Sequence, residues 1–377
     1  MKSSHGKVLS RIRFAQVVAA TVIAVLFTST PAWSEDVGGK RDIDVVTVNL
    51  YIGADLSPIT TLDPNEPGYP AKLVVAVATV HARILASGFP QRASALAQEI
   101  VARGPDVVAL QEVSLVRRQS PGDFVFGGKV PATQVELDYL QILLDALHRY
   151  GGHYAVVSQV NNSDVELPLA TGPFTFDDVR LTDRDVILAR TDLPPGQLRV
   201  ANPQQANFAA AIPLTPEVVV KRGWCSIDVQ LRGRWFRVLN THLEDQLPPI
   251  LPNIQALQAA ELLAVPANVD APIILVGGFN SDANGNYSSG TYALLTGAGH
   301  FSDAWNETNP NQPGLTWGHD EFLADKNHPF SLRLDLVLLR GAEFDASVSA
   351  VVDPVIRSAP PFWFSDHGAV FTTIRIH

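Results

Sequence analysis

Polar residues close several short apolar runs of this chain: Asn49, Glu112, the triplet Asn240-Thr241-His242, Asn280, Asp335 and the pair Asp366-His367. A carboxylate placed directly after "VVALQ" is costly in a protein interior unless it binds a cation or a charged partner. Any one of these residues alone is a weak signal; set at the ends of different strands, they would meet on one rim. The chemistry that suits them is metal-assisted phosphoryl transfer. Asn49, Glu112 and Asp366 offer hard oxygen ligands, which with water suit magnesium, or manganese, rather than zinc. Zinc is disfavoured further because there is no cysteine cluster and no histidine pair at helical spacing. Such an ion polarises a phosphoryl oxygen. His367 would act as general base on water, Asp335 would hold its tautomer, and His242 would neutralise or protonate an oxygen.

These residues need strands to carry them. Apolar runs bounded by turn residues predict strands over 42–50, 106–113, 153–160, 184–190, 223–231, 234–243, 272–280, 332–340 and 368–376. Helical periodicity is seen over about 71–103, 135–150, 253–264 and 288–297. The Pro/Gly-rich stretches 52–70, 114–134, 161–181, 191–220 and 306–331 read as surface loops. Many strands interleaved with a few helices, without strict alternation, predict an α/β protein. The expected architecture is a four-layer sandwich, two packed mixed β-sheets flanked by helices, in one catalytic domain over 42–377.

The amino terminus reads separately. Lys2, Lys7, Arg11 and Arg13 precede the apolar run "FAQVVAATVIAVLF" and the small residues Ala32 and Ser34. This is the pattern of a secretory signal cleaved near Ser34, followed by a short leader, and it predicts a secreted or periplasmic protein. No later segment reads as long and apolar enough to cross a bilayer. Loss of residues 1–34 removes four basic and no acidic side chains, leaving 24 basic against 38 acidic and a net charge of −14. So acidic a surface argues against tight non-specific nucleic-acid binding. The single cysteine, Cys225, allows no intramolecular disulfide and reads as a small buried hydrophobe.

The strings "VVTVNL", "DVVALQEV", "VLNTHLED", "VGGFNSD", "GHFSDAW", "LRLDLVLL" and "FSDHGAVF" occur in an order that resembles the endonuclease/exonuclease/phosphatase superfamily. The resemblance covers about 42–377 and implies a metal-dependent phosphoric ester hydrolase. It matches Asn49 and Glu112 to the metal-binding Asn and Glu, and Asp366 to the metal-side Asp. His367 matches the catalytic His, Asp335 its orienting acid, His242 the "NTHL" His that contacts phosphate, and Asn280 the Asn of "GDFN". Asp185 in "DRDVILAR" resembles an acid that supports the "NTHL" His.

One departure stands out. Where the family reads Gly-Asp-Phe-Asn, this chain reads Gly277-Gly278-Phe279-Asn280, and glycine supplies neither ligand nor proton acceptor. Impaired turnover is therefore expected, and a non-catalytic binding or effector protein that keeps the fold is the alternative. Asp282 is a weak substitute for the missing acid, and Asp55 a weak second metal ligand. Arg184, Arg333 and Lys326 are candidate phosphate contacts, Arg184 first among them. Leu247, Ile250 and Leu251 suggest an apolar lip for a lipid head group, which stands beside nucleic acid and small phosphodiesters as a possible substrate. Trp305 and Trp317 read as core anchors. Nothing resembles a heptad seam, and a monomer is expected.

Overall fold

A computed structural model describes residues 42–194, 196–214, 218–231, 233–245, 253–327 and 329–377. The signal segment and the apolar lip at Leu247, Ile250 and Leu251 lie outside the described residues.

The described residues form two large mixed sheets. The first has eight strands: β1 (Asp42–Asn49), β2 (Val107–Gln111), β3 (Leu115–Gln119), β4 (Gln134–Asp138), β5 (Tyr154–Gly172), β6 (Thr175–Arg190), β15 (Phe344–Val352) and β16 (Ala369–Ile376). They run in the order β15-β16-β1-β2-β6-β3-β4, with β5 also on β6. The second contains β7 (Leu198–Asn207), β10 (Gly223–Leu231), β11 (Arg234–His242), β12 (Ile273–Gly278), β13 (Ser302–Asp303) and β14 (Asp335–Arg340), ordered β13-β14-β12-β11-β10-β7. β8 (Ile212–Pro213) and β9 (Val219–Val220) form a separate two-stranded ribbon. The helices are α1 (Ser57–Thr60), α2 (Tyr69–Ala86), α3 (Phe89–Arg103), α4 (Tyr139–Arg149), α5 (Ile254–Ala264), α6 (Gly290–Thr296) and α7 (Ala304–Thr308).

Residue alternation builds the layers. On β1 and β2, Val45, Val107 and Ala109 face the second sheet and meet Ile227, Val238, Ile274 and Val276. The intervening Val46, Val48, Val108 and Leu110 face outward onto α3 and α4 through Leu96, Ile100, Leu143 and Leu147. Leu239, Leu275, Leu336 and Leu338 of the second sheet likewise face α5 and α6. Helix, sheet, sheet and helix give the four layers expected, and continuous apolar strands are what burial on both faces requires.

Buried amides stitch the two sheets together. Gln111 Nε2 donates to Asn240 Oδ1 at 2.7 Å, and Asn240 Nδ2 donates to the carbonyls of Leu110 and Val186. Asn240 therefore belongs to the sheet interface rather than to the rim.

Several expectations change. The helix expected over 71–103 is two helices, because Gly88 takes a left-handed conformation (φ +65°) and Pro90 opens the next. Residues 135–150 contain a strand, β4, before the helix. The segment 161–181, read as a loop from its Asn, Pro and Gly, is most of the long hairpin β5–β6. Helix α2 is also long and apolar enough, by length and composition, to cross a membrane. It nonetheless buries Leu73, Val77, Val80, His81 and Ile84, and meets Leu167, Leu169 and Val179 of that hairpin.

Arg92 on α3 is fully buried and joins segments far apart in sequence. Its guanidinium donates to Leu50 O (2.6 Å), Phe364 O (2.9 Å) and Tyr51 O (3.1 Å), and lies 5.0 Å from the Phe89 ring centroid. Burial lowers its pKa. Removing the side chain strands three buried carbonyls, each worth roughly 1–3 kcal/mol. Arg92→Met should therefore destabilise the chain by at least about 3 kcal/mol in urea unfolding. A loss below about 1 kcal/mol would show that the carbonyls find other donors.

Candidate active site

The topology explains why separated residues meet. β1 and β2 are parallel, as are β11 and β12, so Asn49, Glu112, His242 and Asn280 all lie where these strands end. Asp335 opens β14, which is antiparallel to β12, and Asp366-His367 precede β16, which is antiparallel to β1. These acids and this histidine thus stand at amino ends, not the carboxyl ends expected, and antiparallel pairing turns them to the same rim. Three rim residues take left-handed backbone conformations: Tyr51 (φ +55°), Glu112 (φ +54°) and Asn280 (φ +49°). Non-glycine residues held in that region cost on the order of 1–3 kcal/mol each and cluster at functional sites.

Glu112, His242, Asn280, Asp366 and His367 line one cavity of about 760 Å³. Asn49 and Asp335 stand directly behind them. His367 Nδ1 lies 2.7 Å from Asp335 Oδ2, which leaves its Nε2 facing the cavity, 4.0 Å from Asp366 Oδ1. Burial disfavours the charged ring, but Asp335, Asp366 and Glu112 outweigh it and push the His367 pKa up to about 9.

Glu112 is held at both oxygens: Asn49 Nδ2 donates to Oε1 at 3.2 Å and Ile52 N to Oε2 at 2.7 Å. Asn49 Oδ1 accepts Tyr51 N–H at 2.8 Å. Asn49 thus reaches the cavity through Glu112, whose carboxylate it orients. Burial raises the pKa of Glu112, and the nearby Asp366 and Asp183 raise it further. Burial also raises that of Asp366, against the pull of His367 and Arg92.

Two half-buried carboxylates that repel one another on a cavity wall fit a divalent cation. Among the described residues no three His, Cys, Asp or Glu side chains gather into a metal shell. The donor set therefore suits an ion that takes one or two carboxylates and completes its octahedron with water and phosphate oxygens, as magnesium does.

His242 is governed by a residue with no motif around it. Arg222 Nη1 lies 3.0 Å from His242 Nδ1, and a guanidinium can only donate. Arg222 is the nearer and permanently charged donor, so the ring accepts from it at Nδ1 and carries its proton on Nε2, although Asn280 Nδ2, also a donor, lies 3.3 Å from Nε2. Burial first, then Arg222 and His367, hold the His242 pKa well below its ordinary value. The ring is neutral and presents one N–H. Asn280 Nδ2 donates to Leu243 O and lies 3.3 Å from that Nε2. Burial opposes the charge of Arg222, but Glu244 and Asp183 outweigh it and raise its pKa.

Asp185 does not support His242. It accepts from Asn162 at 3.0 Å deep between the sheets, and burial, reinforced by Asp183, raises its pKa well above the carboxylate range. Its same-face neighbour Asp183 is the acid that lines the cavity. Arg184 points the other way, donating to Val113 O (2.7 Å) and Asp138 Oδ1 (2.5 Å), so it fixes the loop after Glu112 and does not contact substrate. Arg333 is buried against Asp303, and Lys326 sits over the Phe362 ring. The cavity's arginine is Arg222, legible only from pairing register: Gly223 lies opposite His242, which places Arg222 just past the end of β11. Asp282 is fully buried and accepts the backbone N–H groups of Arg333, Asn284 and Asn286, so it cannot replace a missing acid. Asp55 caps Ser57 at the cavity edge. Trp317 lines the cavity, whereas Trp305 donates to Gln312 O away from it.

The two glycines of "VGGFN" have different causes. A Cβ at Gly277 (φ +142°) would come within 1.9 Å of Thr241 O, so no other residue fits there. Gly278 is the register partner of His242, and a Cβ on it would sit 3.0 Å from His242 Cδ2 and 3.7 Å from Asp335 Oδ1. The imidazole of His242 thus lies over the strand where a family carboxylate would stand.

Two packed mixed sheets with a His–Asp dyad and paired acids on the shared rim define a phosphoesterase or nuclease fold. The profile of the Endonuclease/Exonuclease/phosphatase family matches residues 84–367, and the chain belongs to that family. Enzymes of the family are phosphoester hydrolases and generally depend on a divalent metal. Solved structures share the fold at low identity. A family protein from Bacteroides thetaiotaomicron aligns with TM-score 0.56 and 16% identity over 90% of this chain and 100% of its own. A mannosyl-6-phosphatase of the same organism gives 0.53 and 17% over 88% and 99%. A family protein from Leptotrichia buccalis gives 0.51 and 17% over 89% and 100%. No curated protein sequence matches the chain.

Because the His367 pKa is raised on folding, its protonation stabilises the metal-free chain. That contribution is complete below the ordinary value of 6.5 and is lost as pH rises through about 9. The drop in melting temperature between pH 6.5 and pH 9 should shrink in His367→Gln. Two of the three raising charges, Glu112 and Asp366, are the acids suited to a divalent ion. Magnesium should accordingly move the His367 titration, followed by NMR, to lower pH. An unmoved titration at saturating metal would place the ion elsewhere.

Proposed function

We propose that the chain is a secreted magnesium-dependent phosphoester hydrolase that takes its substrate as a monomer. The observation that carries this reading is the His367–Asp335 dyad, its Nε2 facing a cavity across from Glu112 and Asp366. Magnesium, or manganese, held by Glu112 and Asp366 would supply charge neutralisation at a phosphoryl oxygen. His367 Nε2 accepts the proton of the attacking water, while Asp335 fixes its tautomer and stabilises the imidazolium that forms. His242 Nε2–H donates to a non-bridging oxygen of the phosphoryl group. Arg222 sets that tautomer from behind, and Asn280 holds the Leu243 carbonyl beside it. Export would follow from the amino-terminal pattern of Lys2 to Ser34.

Gly278 leaves the attacking water without the family's extra carboxylate, so turnover should be slow. The same glycine favours the second reading, a binding or effector protein that has kept the fold.

The test is magnesium-dependent hydrolysis of methyl p-nitrophenyl phosphate and p-nitrophenyl phosphate, with a chelated control. His367→Ala should lower kcat/KM on the order of 10²–10⁴-fold. A parent chain no faster than His367→Ala on either ester, with magnesium or manganese, would leave the binding reading standing.

Gly278→Asp should bring no gain. Its Cβ meets an imidazole pinned by Arg222, and its charge approaches Asp335. We expect at least a severalfold loss in kcat/KM, and a tenfold gain would show that the His242 ring gives way and the site lacks only that carboxylate.

A further inference from the structure

The cavity extends well beyond the catalytic rim. From Asp183 it follows hairpin β5–β6 outward, where Val165 pairs with Leu181 and Leu167 with Val179 across the two strands. Side chains alternate on a strand, so these four share one face with Ser163 and Asp183. Facing them, α2 presents Val77, Val80, His81 and Ile84 at i, i+3, i+4 and i+7, and Leu56 and Ile59 close one side. From Asp183 to Val179 the hairpin runs about 13 Å. The aliphatic side chains of the hairpin are only half-buried although they face the interior. Val77, Val80, His81 and Ile84 across from them are buried, the three aliphatics packing in part against Leu167, Val179 and Leu181. Protein interiors pack with few voids larger than a water molecule, and an apolar void forfeits contact energy along its whole lining. An aliphatic annex that opens onto a catalytic rim therefore suits an apolar occupant.

We infer that this annex takes the unbranched hydrocarbon chain of the substrate. The substrate class is then a phosphoester carrying one long alkyl or acyl chain close to its phosphoryl group. The inference rests on the hydrolase reading for its chemistry, and on the annex for its specificity. Charge supports it. Among the described residues the cavity lining includes Asp55, Glu112, Asp183, Asp245 and Asp366 against the single arginine Arg222, and no lysine. A polynucleotide needs a track of cations along its backbone, whereas a single phosphoester needs only the rim. The histidine in the annex, His81, is engaged by Glu136 at 2.6 Å, so its polarity is met within the protein.

The experiment compares methyl and decyl p-nitrophenyl phosphate, the latter kept below its critical micelle concentration. Each methylene taken from water is worth roughly a fourfold change in binding. We expect kcat/KM for the decyl ester to exceed that for the methyl ester by at least about 100-fold. Leu167→Trp fills the annex away from the rim; it should bring that ratio below about tenfold and leave the methyl rate unchanged. Val165→Trp serves as an independent second block. Measurable hydrolysis of both esters at equal kcat/KM would overturn the inference while leaving the hydrolase reading intact. Calorimetry with decylphosphonate and methylphosphonate gives a readout without turnover. If neither ester is hydrolysed, the hydrolase reading fails. Tighter binding of decylphosphonate, lost in Leu167→Trp, would then still support the annex, and equal binding of the two phosphonates would overturn it.

Discussion

The site depends on one buried cation that takes no part in chemistry. Arg92 ties the carbonyls of Leu50 and Tyr51, where the chain leaves β1, to the carbonyl of Phe364, where it approaches β16. The first segment carries Asn49 and the Ile52 N–H that hold Glu112; the second delivers Asp366 and His367. The distance between the two acids is thus set by a guanidinium fork rather than by loop length. A fork with several donors and fixed geometry is what such a three-way junction needs, and a lysine could not supply it.

Around that staple the rim is assembled against its own electrostatics. Glu112, Asp366 and Asp183 raise one another's pKa values or are raised by burial, and Asp183 and Asp335 each keep one buried oxygen without a protein partner. Tyr51, Glu112 and Asn280 add strained backbone. Elsewhere the sheets follow local rules closely, with valine and isoleucine in continuous runs and helices capped by Asp138 and Asn253. Repelling acids and strained backbone gathered on one rim are how a folded protein stores a site. Arg222 offsets part of that charge, and because it can only donate it favours the His242 tautomer whose proton is on Nε2.

The layers were legible because strands buried on both faces leave apolar runs that composition alone reveals. The nine runs all became strands, and the ordered motifs brought Glu112, His242, Asn280, Asp366 and His367 to one cavity. What escaped depends on pairing. Asp183 and Asp185 look alike in "LTDRDV", yet only the placement of β6 between β2 and β3 sets one at the rim and the other between the sheets. Arg184 sits in a motif and Arg222 does not, yet register puts only Arg222 at the cavity. The hairpin β5–β6 was hidden by Asn162, Pro168 and Gly172, which read as a loop when no partner strand is known. Its alternation, Val165-Glu166-Leu167, was present in the sequence but acquires meaning only once α2 covers it.

Gly278 shows the same dependence on register in its sharpest form. Read along the chain it is a lost carboxylate. Read across the sheet it lies directly opposite His242, whose imidazole needs the space that a Cβ would take. Glycine inside a strand marks a close approach of some other group, and here that group is itself one of the site's histidines. A side chain at 278 would press on a ring held by Arg222 at 242. It asks the His242 ring to shift by a few tenths of an ångström, and the ring's contact with Arg222 resists that shift, so residues 222, 242 and 278 are coupled. The family pattern names only two of these positions. The third, Arg222, holds the ring that a side chain at 278 would press upon.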